Sequence, residues 1–243
     1  MSSFSSHYRD WLKVADTALP QNIFGYLTQA SLAPFRADPF TIVPYDDPKE
    51  IAKCGKIGEK SFLPGNLPER EGPRPDMITF MAPNRQVSQL TGDDMHQVMD
   101  SCDGSTHQLI LKQLLLAAVA EIAAKHSVHV VVRTSVLEKA GEALLIADHI
   151  ATPHSIAAKT KREIAHVHAG AGSGEYSMHM CLSPVDCKEV ITKKWGERMT
   201  LAGSFVPHEY LIIYTPRTKE EVDRVQEAPA SEALMFQWSL QDR

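Results

Sequence analysis

The sequence predicts an α+β fold: a mainly antiparallel sheet with a buried long helix and flanking helices. Three observations carry this prediction. A long helical-period apolar stretch occupies 106–125, β-rich runs follow it closely enough to pair as neighbours, and a well-capped helix separates the last two of them. Adjacent strands flanked by helices suit α+β rather than a regular parallel wind. At 243 residues the chain fits one compact domain. Within it, residues 1–90 read as N-terminal helices with a Pro-rich wrapping segment, and 91–243 as the α+β core.

In chain order, 8–16 and 21–30 read as helices, the second preceded by Pro20. Residues 34–83 carry many prolines and little periodicity, which predicts loop with short strands such as Thr41-Ile42-Val43. A loop of that length covers a site or wraps a core. A helix is predicted at 93–100. The strongest helix is 106–125, with Ser105 as N-cap, Gln108 completing a capping box, and an apolar stripe of Leu111, Leu114, Leu115, Ala118 and Ile122. Apolar residues surround much of it, so it is expected to lie buried against the sheet. Strands are predicted at 128–134 and 143–147, with a turn or helical bend at 136–140. Residues 163–168 and 176–182 flank the Gly-rich loop 169–175 as a hairpin. Ser183-Pro184-Val185-Asp186 opens a helix, with Ser at the cap, Pro at the first position and an acid in the first turn. A strand at 209–215 and a helix at 218–226 complete the core.

Apolar residues make up 43% and charged residues 23%, an ordinary globular balance. A net charge of −5 argues against nucleic acid or an anionic membrane as partner, since both call for a basic face. The longest apolar run, 114–120, is far shorter than the ~20 residues a membrane span needs, and the start shows no apolar leader. The four cysteines (Cys54, Cys102, Cys181, Cys187) form no C-x-x-C pair, which suits a reduced, cytoplasmic setting.

The chemistry is concentrated in "EIAHVH" and "MHMC". Alternate strand residues share a face, so His166 and His168 point the same way. His179 joins them only if the hairpin register sets it opposite His166; a slip of one residue sends it to the other face. Three converging imidazoles suit a metal ion, an acid–base or oxyanion-binding centre, or a structural pair of satisfied side chains. Glu163 falls on the face opposite His166 in a regular strand, and is expected to pair with Arg162, Lys161 or the sheet edge.

"TKREIAHVH", "MHMCLSPVDCKEVITKKWGERMTLAG" and "EYLIIYTPRTKEE" resemble the fungal luciferase family, with its pattern TKREIAH-x-H, a Leu/Met-His, WG-x-R-H-P-L-A-G and Y-x-P-R. "PQNIFGYL" and "LPEREGPRP" extend the likeness across about 8–227, with its motifs densest at 160–217. Luminous members oxidise a hydroxylated styryl-α-pyrone with O2 and no recognised organic cofactor. The resemblance implies a small-molecule substrate of that kind, a polyketide-derived enol or α-pyrone, supplied by a polyketide synthase pathway. It also implies O2 as co-substrate and no cofactor. His166, His168 and His179 are then the catalytic residues, or the ligands if a metal is bound. Arg162, Trp195, Arg198, Tyr214 and Arg217 are the candidate substrate contacts.

Three departures from the family stand out. The luminous members' N-terminal membrane anchor has no counterpart, Met199-Thr200 replaces the family's His-Pro, and the hairpin loop is longer and Gly-rich. The leading expectation is deprotonation followed by cofactor-free O2 addition. Its rivals are a polyketide cyclase or lactonising release enzyme using the same base, and a non-catalytic binder of a pyrone-like metabolite.

Overall fold

Six short strands form one antiparallel sheet in the order β1-β2-β3-β4-β6-β5. They are β1 (Val130–Thr134), β2 (Glu142–Ile146), β3 (Glu163–Val167), β4 (Met178–Cys181), β5 (Gly196–Arg198) and β6 (Tyr210–Ile213). The helices are α1 (Ile23–Ser31), α2 (Pro48–Lys53), α3 (Gly104–Lys125), α4 (Ser155–Lys159) and α5 (Pro184–Thr192). The computed structural model describes residues 7–9, 11–12, 19–63, 65, 67–72, 74, 104–139, 141–151, 155–167 and 177–225, with backbone only at 104–112. The α+β prediction therefore holds. The expected helix at 93–100 lies outside the described residues, and 219–225 is helical.

Antiparallel strands alternate their side chains, and here the two faces differ in chemistry. Val130, Leu144, Ile146, Ala165, Val167, Met178, Met180, Leu211 and Ile213 join one apolar cluster with Leu115, Val119 and Ile122 of α3 and Val190 and Ile191 of α5. Over its described side chains α3 buries that one stripe, while Gln113, Ala117, Ala120, Glu121 and Ala124 are exposed. It is thus an outer-layer helix, not the centrally buried one expected. Its alanines count as apolar in the pattern, yet lose little by facing water.

The register places Arg133, Ala143, His166, His179, Ile212 and Glu197 side by side, one from each strand. Residues directly opposite in antiparallel pairs share a face. This row therefore crosses the face away from the apolar cluster, and from Ala143 to Glu197 every member is buried. The three-residue β5 is too short to show periodicity, and it was not predicted as a strand. Its Gly196 allows close approach to β6, because a Cβ there would sit 2.4 Å from the Ile212 carbonyl oxygen.

The Pro-rich segment wraps this core. Thr41-Ile42-Val43 is not a strand: Val43–Tyr45 forms a 3₁₀ turn, with Pro44 denying a backbone donor to any sheet. Tyr45, Cys54, Ile57, Leu63 and Leu67 pack into the sheet's apolar cluster. Ala37 donates to the Thr200 carbonyl at 2.8 Å and Arg70 to that of Lys193 at 2.8 Å. A buried acid anchors the wrap. Asp186 in α5 accepts from Ser61 Oγ (2.6 Å), Phe62 N (2.9 Å) and Ser183 Oγ (3.0 Å), while Ser183 caps the helix by accepting from Asp186 N. The described cysteines, Cys54, Cys181 and Cys187, are free thiols. Among the described residues no helix is long and apolar enough to cross a membrane.

Asp186→Ala strands several buried donors, so it should lower stability by about 3 kcal/mol or more in urea unfolding. Ser183→Ala should cost only about 1 kcal/mol. A loss below about 1 kcal/mol for Asp186→Ala would show that this acid does not anchor the wrapping segment.

Candidate active site

The open question of register is resolved by the pairing of β3 with β4, which sets His166 directly opposite His179. Their ring centroids lie 5.0 Å apart. Both are buried, at 1% and 2% exposure. His168 lies outside the described residues.

A β-bulge brings in an acid that the strand pattern had sent elsewhere. Opposite β2, Leu144 pairs with Ala165 but Leu145 pairs with Glu163, so Ile164 is the extra residue. The bulge reverses the alternation, and Glu163 falls on the same face as His166. Its Oε1 lies 2.5 Å from His166 Nδ1. The expectation that Glu163 pairs with Arg162, Lys161 or the sheet edge is corrected accordingly. Just ahead of the bulge, Lys161 and Arg162 both adopt positive φ (54° and 74°). The Arg162 guanidinium offsets that strain by donating to the carbonyls of Ile146 (3.2 Å), Ala147 (2.6 Å) and Ile150 (2.5 Å).

Glu163 also shapes the turn between β1 and β2. Its carboxylate accepts from Ser135 Oγ (3.0 Å), Val136 N (2.8 Å) and Leu137 N (3.3 Å). Ser135 Oγ in turn accepts from Glu138 N at 3.1 Å. This turn delivers Glu138 to the imidazoles, with Oε2 at 3.1 Å from His166 Nε2 and Oε1 at 3.4 Å from His179 Nε2. Glu138 is the outward member of the set, its side chain 19% exposed. The sequence reading missed it. The only signal was the Ser135-x-x-Glu138 step, a capping pattern in a segment already read as a turn.

Remaining ring atoms are also engaged. His179 Nδ1 lies 3.2 Å from the Leu211 carbonyl oxygen. A carbonyl only accepts, so Nδ1 carries a proton, and Nε2 faces Glu138. Tyr210 stacks on His179 at 4.7 Å, and its hydroxyl lies 3.4 Å from His166 Nδ1. Burial alone would lower the His166 pKa, but hydrogen bonds and charge from Glu138 and Glu163 outweigh it and raise the value to about 9. Burial pushes the Glu163 carboxyl up, but the His166 contact and the turn's donors hold it below its ordinary value. Glu138, His166 and His179 each offer a ligand atom, and these lie within 4.8 Å of one another.

The residues singled out as substrate contacts each make hydrogen bonds within the fold, as Arg162 does. Trp195 Nε1 donates to the Pro68 carbonyl at 2.7 Å. Arg198 reaches the Ala202 carbonyl (3.2 Å) and His208 Nδ1 (2.9 Å). Arg217 pairs with Glu221 at 2.6 Å and donates to the Glu71 carbonyl at 2.7 Å. Met199, where the family has histidine, packs against the apolar cluster, and the adjoining Thr200 is buried. Tyr214 donates to Glu197 Oε2 at 2.8 Å.

Glu197 is fully buried, and among the described residues its Oε1 has no hydrogen-bond partner. Burial pushes its pKa up to about 7, against the Tyr214 hydrogen bond and the charges of Arg74 and Arg36. A raised carboxyl stabilises the fold below its unfolded value near 4.5, and that contribution is lost as pH rises through about 7. Glu197→Gln should therefore match the parent near pH 4.5 and exceed it by on the order of 3 kcal/mol at pH 8. Parallel stability–pH curves for the two proteins would contradict this.

Comparisons with known proteins agree with these motifs. A Luciferase domain model matches residues 161–228, spanning the bulged strand, both histidines, α5 and β6. The luciferases of Armillaria mellea and Neonothopanus nambi are each 31% identical to the chain, over 88% of its length and 74% of theirs. That of Armillaria gallica is 30% identical over the same shares. No solved structure matches. With this identity over most of both lengths, the chain belongs to the fungal luciferase family.

Proposed function

We propose that the protein is an oxygenase of fungal secondary metabolism that acts on a polyketide-derived enol or α-pyrone and needs no organic cofactor. The observation that carries this reading is the buried His166–His179 pair bridged by Glu138, in a chain related to luciferases. A 1,3-dicarbonyl or hydroxypyrone is acidic, so loss of one proton gives an electron-rich enolate.

Both ring nitrogens of His166 face carboxylate oxygens, Glu163 at Nδ1 and Glu138 at Nε2. His166 therefore serves as a donor that steadies negative charge. His179 Nε2 and the Glu138 carboxylate are the groups placed to accept the proton. The enolate carbon then forms a C–O bond to O2, and reprotonation leaves a hydroperoxide, the substrate plus one O2. A positioned acid–base group contributes roughly 10²–10⁴-fold to such a step, and a preorganised donor stabilises the charge that develops.

Incubation with a panel of hydroxypyrones under air should yield a product heavier by one O2, and none under argon. Glu138→Gln, an isosteric change at a partly exposed side chain, should lower the rate roughly 10²–10⁴-fold with the fold retained. An oxygen-free product of equal yield under argon would contradict the oxygenase reading and point to cyclisation. Undiminished turnover in Glu138→Gln would remove the cluster from the reaction.

A further inference from the structure

We infer that Glu138, His166 and His179 form a binding site for one divalent first-row transition-metal ion. Three electron-pair donors converge here. The Nε2 atoms of both imidazoles approach the two oxygens of one carboxylate, at 3.1 and 3.4 Å. Ligands about 2.1 Å from an ion sit roughly 3.0–3.4 Å apart along octahedral or tetrahedral edges, so each imidazole lies at ligand-edge distance from one oxygen of the same carboxylate. All three donor atoms lie within 4.8 Å of one another.

The surroundings are those of a metal-binding imidazole. A ligating histidine typically gives its other ring N–H to a carboxylate or a backbone carbonyl, which fixes the tautomer and aims the lone pair. His166 Nδ1 has the Glu163 carboxylate at 2.5 Å and His179 Nδ1 has the Leu211 carbonyl at 3.2 Å. Both partners sit on the sheet itself. Tyr210 stacks flat against His179 and fixes its ring plane. Two imidazoles and one carboxylate suit iron, cobalt or zinc rather than calcium or magnesium.

Such a set occupies one side of an ion and leaves other positions open. The two oxygens of an enolised 1,3-dicarbonyl could occupy adjacent open positions. The ion would then supply the positive charge that steadies the enolate, between His166 Nε2 and the Glu138 carboxylate. This catalytic meaning rests on the oxygenase reading; binding of the ion does not.

The test uses full-length protein stripped with a chelator and titrated anaerobically with Fe(II), and in parallel with Co(II), whose d–d absorbance reports its ligands. One ion should bind per chain. Glu138→Gln and His179→Gln should each weaken binding roughly 100-fold or more, and Glu163→Gln about 10- to 100-fold. Circular dichroism verifies that each variant is folded. Absence of one-to-one binding, or equal affinity in folded Glu138→Gln and His179→Gln, would overturn the inference. Stripped protein that turns over at full rate would overturn the ion's catalytic role and leave the oxygenase reading standing. Tight binding without oxygen uptake on any pyrone would support the site and overturn the oxygenase reading.

Discussion

A buried carboxylate must be satisfied or it destabilises the fold by several kcal/mol, and Glu163 is satisfied in a way that builds the site. Its oxygens accept from the hydroxyl of Ser135, the amides of Val136 and Leu137, and Nδ1 of His166. One side chain therefore closes the β1–β2 turn, pins that turn over β3, and orients an imidazole. Glu138 reaches the histidines because the turn is held there. The arrangement is cooperative, since each donor on Glu163 makes its burial tolerable and the burial keeps the donors in place.

The sheet divides the labour between its faces. One face packs against α3 and α5 and supplies the apolar core. On the other, a cross-strand row carries His166 and His179 at the centre and Glu197 beyond Ile212. Strands pair at about 4.8 Å, which puts Glu197 roughly two strand spacings from His179. The protein thus buries two sets of ionisable groups on one layer: the bridged histidines, and the Glu197–Tyr214 pair hydrogen-bonded at 2.8 Å. Rigid strands suit this purpose, because a site held on paired strands keeps its geometry better than one on loops.

Much of this was legible from residue patterns. The Ser183 cap and the β3–β4 hairpin follow from turn chemistry and period-two alternation, whereas the register that sets His166 opposite His179 is visible only in the strand pairing. What was not legible has specific causes. A single bulge at Ile164 reverses strand parity, and no local residue type announces it, so Glu163 was assigned to the wrong face. Glu138 acts across long sequence separation, brought in by a turn whose acceptor lies on another strand. β5 spans Gly196–Arg198 only, too few residues for any periodicity. The exposed side of α3 was misjudged because alanine is equally at home in water and in a core. Likeness to luciferases drew attention to the histidines, and the structure adds the two acids that face them.

The account turns on both imidazoles carrying a proton on Nδ1, held by Glu163 and the Leu211 carbonyl, with both Nε2 atoms aimed at Glu138. Nitrogen-15 NMR of histidine-labelled, chelator-treated protein reads this directly. The account predicts a proton on Nδ1 of His179, and an Nδ1 proton on His166 that shifts when Glu163 becomes Gln. A His179 ring carrying its proton on Nε2 with a bare Nδ1, or a His166 signal indifferent to Glu163→Gln, would contradict it.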